Sequence, residues 1–374
     1  MLNQNLSIEE HDRSKDEQIF NLQQCVYPDH HLYKERELTR KYWSWRYYSH
    51  PTIKSKVFVI PAEESNVVAG MRPVTFLPIQ SDGKEVLSAW LTAVVTHPRY
   101  RGMGIFSNLV RHSLKNAREA GARFAFTFPN DRSYAIYKKK VEWRYVGAIP
   151  LHVKILRPFA IIKMGIGMIP LLRRYIKQRS WDVRAVAGSS NVFSDGSKEF
   201  KINSADCIDS EYDQLWRRVS EKFKIVVNRD ADYLRWRYLE NPITEYTILE
   251  ARRKGDNRLL GYLVTTIQVR GTKTLGLIVD LLVENENLDV CRVLVRSANA
   301  WFLKSGVAIA AALIKKCHAF AKGLQQCGYY LMPNSITPKK FHVIVSDLTN
   351  NKEFEDYISD FNNWYLTWGD TDNV

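Results

Sequence analysis

The chain has 374 residues, about two and a half times a prior of ~150 residues per domain, so two folded domains plus extra segments are expected. Apolar residues make up 45% and charged residues 25%, which excludes a largely disordered chain, a collagen-like repeat and a coiled coil. With 54 basic and 40 acidic residues the net charge is +14, a surplus that suits an anionic partner: a phosphate-bearing ligand, nucleic acid or a membrane surface.

The first residues, MLNQNLSIEEHDRSKDE, are polar and mixed in charge, without the apolar run of a secretory signal, and a cytoplasmic protein is expected. An amphipathic helix carrying Trp45-Arg46-Tyr47 comes next and ends at Pro51, which a helix cannot continue through. Strands are predicted at 57–60, 67–76 and 86–95, all rich in β-branched and aromatic residues. Ile105, Phe106, Leu109, Val110, Leu114 and Ala117 recur at helical spacing, and Gly121 suits the stop of that helix. Phe124, Phe126 and Phe128 alternate as in a strand, a short helix follows over 133–140, and a final strand region is predicted over 145–155.

The order then repeats. Trp236-Arg237-Tyr238 followed by Pro242 matches Trp45-Arg46-Tyr47 followed by Pro51 at an offset of 191, and the same offset carries Gly70 onto Gly261. That period is too long for a solenoid and reads as a duplicated domain. The second copy gives a helix over 212–238, strands at 246–251, 259–268 and 275–283, a helix over 290–303, a strand at 307–314, a helix over 318–327 and a strand at 341–346. Both copies thus read α, β, β, β, α, β, α, β, an α/β (mixed α+β) fold in two tandem domains. The expected divisions are 1–153 for the first domain, 154–195 for a linker, 196–346 for the second domain and 347–374 for a tail. Residues 154–184 hold eight basic and one acidic residue around PFAIIKMGIGMIPLL, a segment expected either to pack against the domains or to touch a membrane surface. The tail, with Phe361, Trp364, Tyr365 and Trp368, is expected to dock. Five scattered cysteines, Cys25, Cys207, Cys291, Cys317 and Cys327, show no zinc spacing, so free thiols and no metal are expected. No signature of a nucleic-acid-binding module is present.

The sharpest local signal is VVTHPRYRGMGIFSNLV, residues 94–110. A strand ends at Val94-Val95, a loop bears Arg99, Arg101, Gly102, Met103 and Gly104, and a helix opens at Ile105-Phe106. The glycines remove Cβ atoms where a ligand must approach the main chain. The helix start offers unpaired N–H groups and the positive dipole end, and the arginines add charge for phosphate oxygens. Together they make a pyrophosphate cradle.

Arg99-x-x-Gly102-x-Gly104 at a strand-to-helix junction resembles motif A of the GNAT N-acyltransferase superfamily. Asn130 with Tyr137 seven residues later, in NDRSYAIYKKKVEW, is similar to that family's Asn-x7-Tyr region, although Glu142-Trp143 stand where Gly-Phe is usual. The duplication resembles the tandem GNAT acyltransferases, among them the mycothiol-synthase-like and aminoglycoside-acetylating groups. The resemblance implies acyl-CoA, most simply acetyl-CoA, as donor and direct attack by a primary amine, a small molecule or peptide, on the thioester. It implies Tyr137 as proton donor to the leaving thiolate, with Tyr134 one turn earlier as runner-up. Exposed main chain near 91–95 is expected to face the thioester oxygen if the strand splays there. For the general base the sequence offers Glu85, His97 and the tail carboxylates of Asp370, Asp372 and Val374. In the second copy, setting Val95 on Val283 places Val290 and Arg292 where the glycines belong, with Glu284, Glu286 and Asp289 nearby, so a non-binding domain is expected. Two other functions fit the same residues: a CoA- or anion-binding module without turnover, and a membrane-surface acyltransferase acting on cell-envelope amino sugars.

Overall fold

The structure, a computed structural model, describes residues 7–50, 55–64, 66–140, 143–158, 199–270, 273–316, 318–333, 335, 337 and 339–371. Most of the basic apolar segment lies outside them. The chain divides into two compact units, one made of 1–79, 85–147 and 342–363, the other of 80–84, 148–341 and 364–374.

In the first unit, β1 (Glu9–Glu10) lies outside the predicted elements and pairs with β2 (Ser55–Pro61), which with β3 (Val68–Ser81) and β4 (Lys84–Leu91) follows the predicted order. The expected single strand over 86–95 is broken. After β4 stops at Leu91, the chain resumes as β5 (Val95–Thr96), paired antiparallel to β3 through Gly70↔Thr96 and Met71↔Val95. Helices α1 (Asp16–Val26), α2 (His31–Lys34) and α3 (Arg36–Tyr47) precede the sheet, and α3 carries the first Trp-Arg-Tyr run. Helix α4 (Ile105–Glu119) leads to β6 (Phe124–Thr127), which pairs parallel to β4 from Ser88↔Phe124 to Trp90↔Phe126. Helix α5 (Asp131–Lys140) and β7 (Arg144–Ile149) follow. The core of this unit buries Ile19, Phe20, Leu22, Trp43, Tyr47 and Met71 as one cluster.

The second unit begins with β8 (Leu151–Ile155), then β9 (Phe200–Ala205), α6 (Ser210–Val219), β10 (Ile225–Val227) and α7 (Ala231–Leu234). The helix expected over 212–238 is therefore two helices around a short strand, and Trp236-Arg237-Tyr238 sits in a π turn at Arg235–Leu239. Strands β11 (Thr247–Arg253), β12 (Leu259–Arg270) and β13 (Lys273–Val283), helix α8 (Leu288–Lys304), strand β14 (Ile309–Leu313), helix α9 (Ala319–Gln326) and strand β15 (Tyr330–Leu331) complete it. The last strand, β16 (Phe341–Asp347), precedes helix α10 (Lys352–Ser359).

The final strand of each copy differs from expectation. The first sheet runs β1-β2-β3-β4-β6-β16-β7 and the second β15-β8-β14-β13-β12-β11-β9. Strand β8 leaves the first copy to pair with β14, from Ile309↔Ile155 to Leu313↔Leu151, while β16 leaves the second copy to pair with β6, from Ile344↔Thr127 to Asp347↔Phe124. The exchange is reciprocal: each parallel partner strand receives, on its far side, an antiparallel strand from the other half of the sequence. Pairing is satisfied equally by either strand, because backbone hydrogen bonds carry no record of chain origin.

The repeated glycines have one steric task. A Cβ on Gly70 would stand 2.4 Å from Ile105 Cγ2, and one on Gly261 would stand 2.6 Å from the Leu282 carbonyl oxygen. Gly70 lets β3 close on the helix that begins at Ile105, and Gly261 lets β12 close on its neighbour β13.

Candidate functional site

Strand β4 ends at Leu91, Thr92 is buried, and Ala93 adopts φ 40°, a left-handed conformation in a residue with a Cβ. Such a residue costs of the order of 1–3 kcal/mol and persists where its surroundings enforce it. The kink turns Val95 toward β3 while β4 pairs with β6 only as far as Trp90. The splay expected near 91–95 is thus built into the chain, with half-buried Val94 inside it and buried Val95 closing it.

The loop after it is organised by His97. Its Nδ1 accepts from the Arg99 amide at 3.3 Å and its Nε2 lies 3.5 Å from Cys25 Sγ. Burial, then the Arg99 and Arg101 charges, pull the imidazole below its ordinary range. Both nitrogens are engaged in shaping the loop, which is a poor arrangement for a general base. Arg99 is exposed and pairs with Glu64 at 2.7 Å, while Arg101, Gly102 and Met103 are exposed on the loop. Gly102 has φ 88° and Gly104 φ 80°, left-handed conformations that glycine adopts without strain. Gly104 is the N-cap of α4 and supplies no capping side chain, and the first turn holds no acidic residue. No cap side chain takes up the N–H groups of this turn, and the space around Gly102 is open: an added Cβ there would meet nothing within 4 Å.

Ile105 is buried beneath the loop, and Phe106 reaches across to Tyr137, ring centroids 5.1 Å apart and edge-on. Tyr137 and Tyr134 project from α5 into one cluster with Val110, Ile344, Phe106 and Trp143. Asn130 caps that helix: its Oδ1 accepts from the Ser133 amide at 2.9 Å, and its carbonyl accepts from the Tyr134 amide. Its side-chain oxygen is thus spent on holding α5. Burial pushes the Tyr137 hydroxyl above its ordinary value, and the Arg72 charge pulls it part of the way back.

The structure adds residues the sequence reading missed. Arg72 is 1% exposed on β3, close to Tyr137. A single cation inside the apolar run VVAGMRPVTF was the available signal. His342 stacks on Tyr134 at 4.6 Å, with Nε2 2.8 Å from Asp131 Oδ1. It arrives on the exchanged strand, which nothing in the sequence indicates.

Other expected bases lie elsewhere. Glu85 is exposed at the start of β4, about 20 Å of strand from its broken end at ~3.4 Å per residue. Asp370 is buried in the second unit against Arg229, at 2.9 Å. Asp372 and Val374 lie outside the described residues.

In the second copy, Gly261 pairs with Val283 as Gly70 pairs with Thr96, so these two are the matching positions. The expected match of Val283 to Val95 is one residue out, and Val290 and Arg292 lie inside α8. Helix α4 starts nine residues after Thr96, α8 five after Val283, so the second loop is four residues shorter. Asn287 caps α8, its Oδ1 accepting from the amides of Asp289 and Val290. Glu284 pairs with Arg218 and Arg258, and Glu286 with His318.

A broken strand thus stands beside an uncapped, glycine-led helix, with a tyrosine against its first turn. Residues 8–146 match the model of the acetyltransferase (GNAT) domain, so a GNAT domain occupies the first part of the chain. Its fold is similar to a GCN5-related N-acetyltransferase of Anabaena variabilis (TM-score 0.60, 14% identity, 92% of this chain and 73% of that one). It is similar also to Saccharomyces cerevisiae N-myristoyltransferase with bound myristoyl-CoA (TM-score 0.57, 9% identity, 92% and 81%). A tandem GNAT protein from the clavulanic acid biosynthesis pathway is matched over its full length (TM-score 0.52, 14% identity, 92% and 100%). No curated protein matches the sequence. Among the described residues, no helix is long and apolar enough to cross a membrane.

Proposed function

We propose that the chain is a cytoplasmic N-acetyltransferase whose first unit binds acetyl-CoA and moves the acetyl group to a primary amine of a small molecule or peptide. The observation that carries this reading is the contact of Phe106, in the first turn of the uncapped helix, with Tyr137. In this reading it joins the helix end that receives phosphate to the side chain that donates the proton. In this reading the loop from Arg99 to Phe106 receives the pyrophosphate, with Gly102 and Gly104 giving room and Arg101 adding charge. The amine nitrogen attacks the thioester carbon, a C–N bond forms, the C–S bond breaks with its electron pair going to sulfur, and Tyr137 protonates the thiolate. Main-chain N–H groups at the Thr92–Val94 kink suit the oxygen on which charge develops. The second unit binds no donor and serves as scaffold.

Calorimetry with acetyl-CoA, followed by release of free CoA thiol over a panel of amines, tests the reading. Tyr137→Phe is expected to lower kcat by ~10²–10⁴-fold with donor affinity unchanged. Tyr134→Phe is expected to change it far less. A folded protein that does not bind acetyl-CoA overturns the assignment. One that binds it but never releases thiol favours a binding module.

A further inference from the structure

Arg72 is a buried cation of the first unit for which no ion pair is found among the described residues. Its side chain leaves β3 on the same face as Gly70, two residues away, which is the face on which α4 begins. The residue is 1% exposed, Nε, Nη1 and Nη2 are all buried with no hydrogen bond of good geometry, and the Tyr137 hydroxyl is a polar group its guanidinium reaches. A buried unpaired charge costs several kcal/mol, and a native structure that keeps one has a use for it. Its guanidinium carbon stands 5.8 Å from the ring centroid of Tyr137.

The groups that face Tyr137 from the elements around it are few. Thr127 on β6, Phe106 on α4, Trp143 and Ile344 on β16 are uncharged. Asp131 and His342 are paired with each other beside Tyr134. Among the described residues, Arg72 is thus the charge that acts on the Tyr137 hydroxyl, and no carboxylate pairs with it.

We propose that Arg72 is a positioning residue for acyl transfer, an unneutralised buried cation that stabilises the phenolate left on Tyr137 when its proton passes to the departing CoA sulfur. The inference rests on Tyr137 as the proton donor. In that step the Tyr137 O–H bond breaks, the S–H bond forms, and negative charge moves from sulfur to the phenolate oxygen. The proton lost by the acceptor nitrogen, through solvent, then restores the hydroxyl. A neutral side chain at position 72 leaves the phenolate in a buried site with no counter-charge, so proton donation becomes harder. The same substitution removes an uncompensated charge and relieves the fold.

The test uses the full chain with Arg72→Met, Arg72→Gln and Arg72→Lys, read three ways. Tyrosine ring-carbon NMR titration, with Tyr137→Phe assigning the resonance, is expected to show the Tyr137 ionisation moving up by about one pH unit or more in both neutral variants and staying near wild type in Arg72→Lys. The kcat of the neutral variants falls by about tenfold or more, while Arg72→Lys keeps it within about threefold. Arg72→Met melts at a temperature equal to or above wild type. Neutral variants with wild-type Tyr137 titration, or Arg72→Lys as impaired as Arg72→Met, overturn the proposal. Full activity of Tyr137→Phe instead overturns the donor assignment, a distinct result, since the titration reads Arg72 without turnover.

Discussion

Arg229 donates to both carboxylate oxygens of Asp370, at 3.0 and 2.9 Å, and both side chains are 1% exposed. Arg229 also reaches Asp280, and Thr367 bonds to both acids. Burial alone would draw the Arg229 charge down, but the two carboxylates hold it well above its ordinary value. Arg237 completes the lock by donating to the Gly369 and Thr371 carbonyls. The last aromatic residues therefore close the second unit, and Tyr365 and Trp368 are part of its core. Asp370→Asn is expected to cost stability in that unit, but less than the ~3–5 kcal/mol of breaking an isolated buried pair, because Arg229 keeps Asp280. Deletion of residues 364–374 is expected to unfold it. Urea unfolding checks both; an Asp370→Asn protein of full stability with a much lower kcat would return Asp370 to the chemistry.

Much of this was legible from residue patterns. Gly102 and Gly104 marked a loop without Cβ atoms before a helix start, and the structure adds that both are left-handed and that the helix has no side-chain cap. The helix 105–119 followed from its apolar spacing. The Trp-Arg-Tyr repeat and the paired glycines announced two copies, and the two sheets share one strand order. What stayed hidden depends on long-range partners. Nothing in Leu151–Ile155 or Phe341–Asp347 says which parallel strand each will join, since both suit a buried antiparallel position. His342 reaches Asp131 only through that exchange. The break at Ala93 was hidden for another reason: residues 86–95 keep strand composition through the kink, and only the pairing of Val95 with Met71 shows it.

Gly102→Glu tests the cradle. At φ 88° any Cβ costs ~1–2 kcal/mol, yet the space around it is open, so the variant folds. Its carboxylate then points where phosphates are proposed to sit. Calorimetry is expected to show acetyl-CoA binding lost with the melting temperature only slightly reduced; unchanged affinity in the folded variant places the donor elsewhere.

Acid stability follows from His152. The residue is fully buried on β8, and burial lowers its imidazole from 6.5 to about 4. The folded state therefore keeps it neutral, and its contribution is fully present above pH 6.5, where the unfolded chain is neutral too. As pH falls from 6.5 toward 4 the unfolded chain takes up a proton that the fold refuses, and stability drops by about 1.4 kcal/mol per pH unit for this one group. Burial brings His318 to about 4 as well, so the second unit carries two such groups. His152→Leu is expected to flatten the decline measured by urea unfolding between pH 7 and 4; an unchanged slope would show that the imidazole is not what acid attacks.

The two helix starts predict how many donors one chain binds. Helix α4 opens on Gly104, with no side-chain cap and no acidic residue in its first turn, so its N–H groups and dipole are free for an anion. Helix α8 opens on Asn287, whose Oδ1 already accepts two of the corresponding amides, with Asp289 in the first turn. Its loop is shorter and presents Glu284 and Glu286 instead of arginines and glycines. A pyrophosphate there would have to displace the cap and stand near three carboxylates, a repulsion worth more than one residual helix dipole of ~0.3–1 kcal/mol. Native mass spectrometry with acetyl-CoA in excess is expected to count one ligand per chain, and Gly102→Glu to bring the count to none. Two ligands per chain, or one retained in Gly102→Glu, would show that the second unit is a binding domain after all.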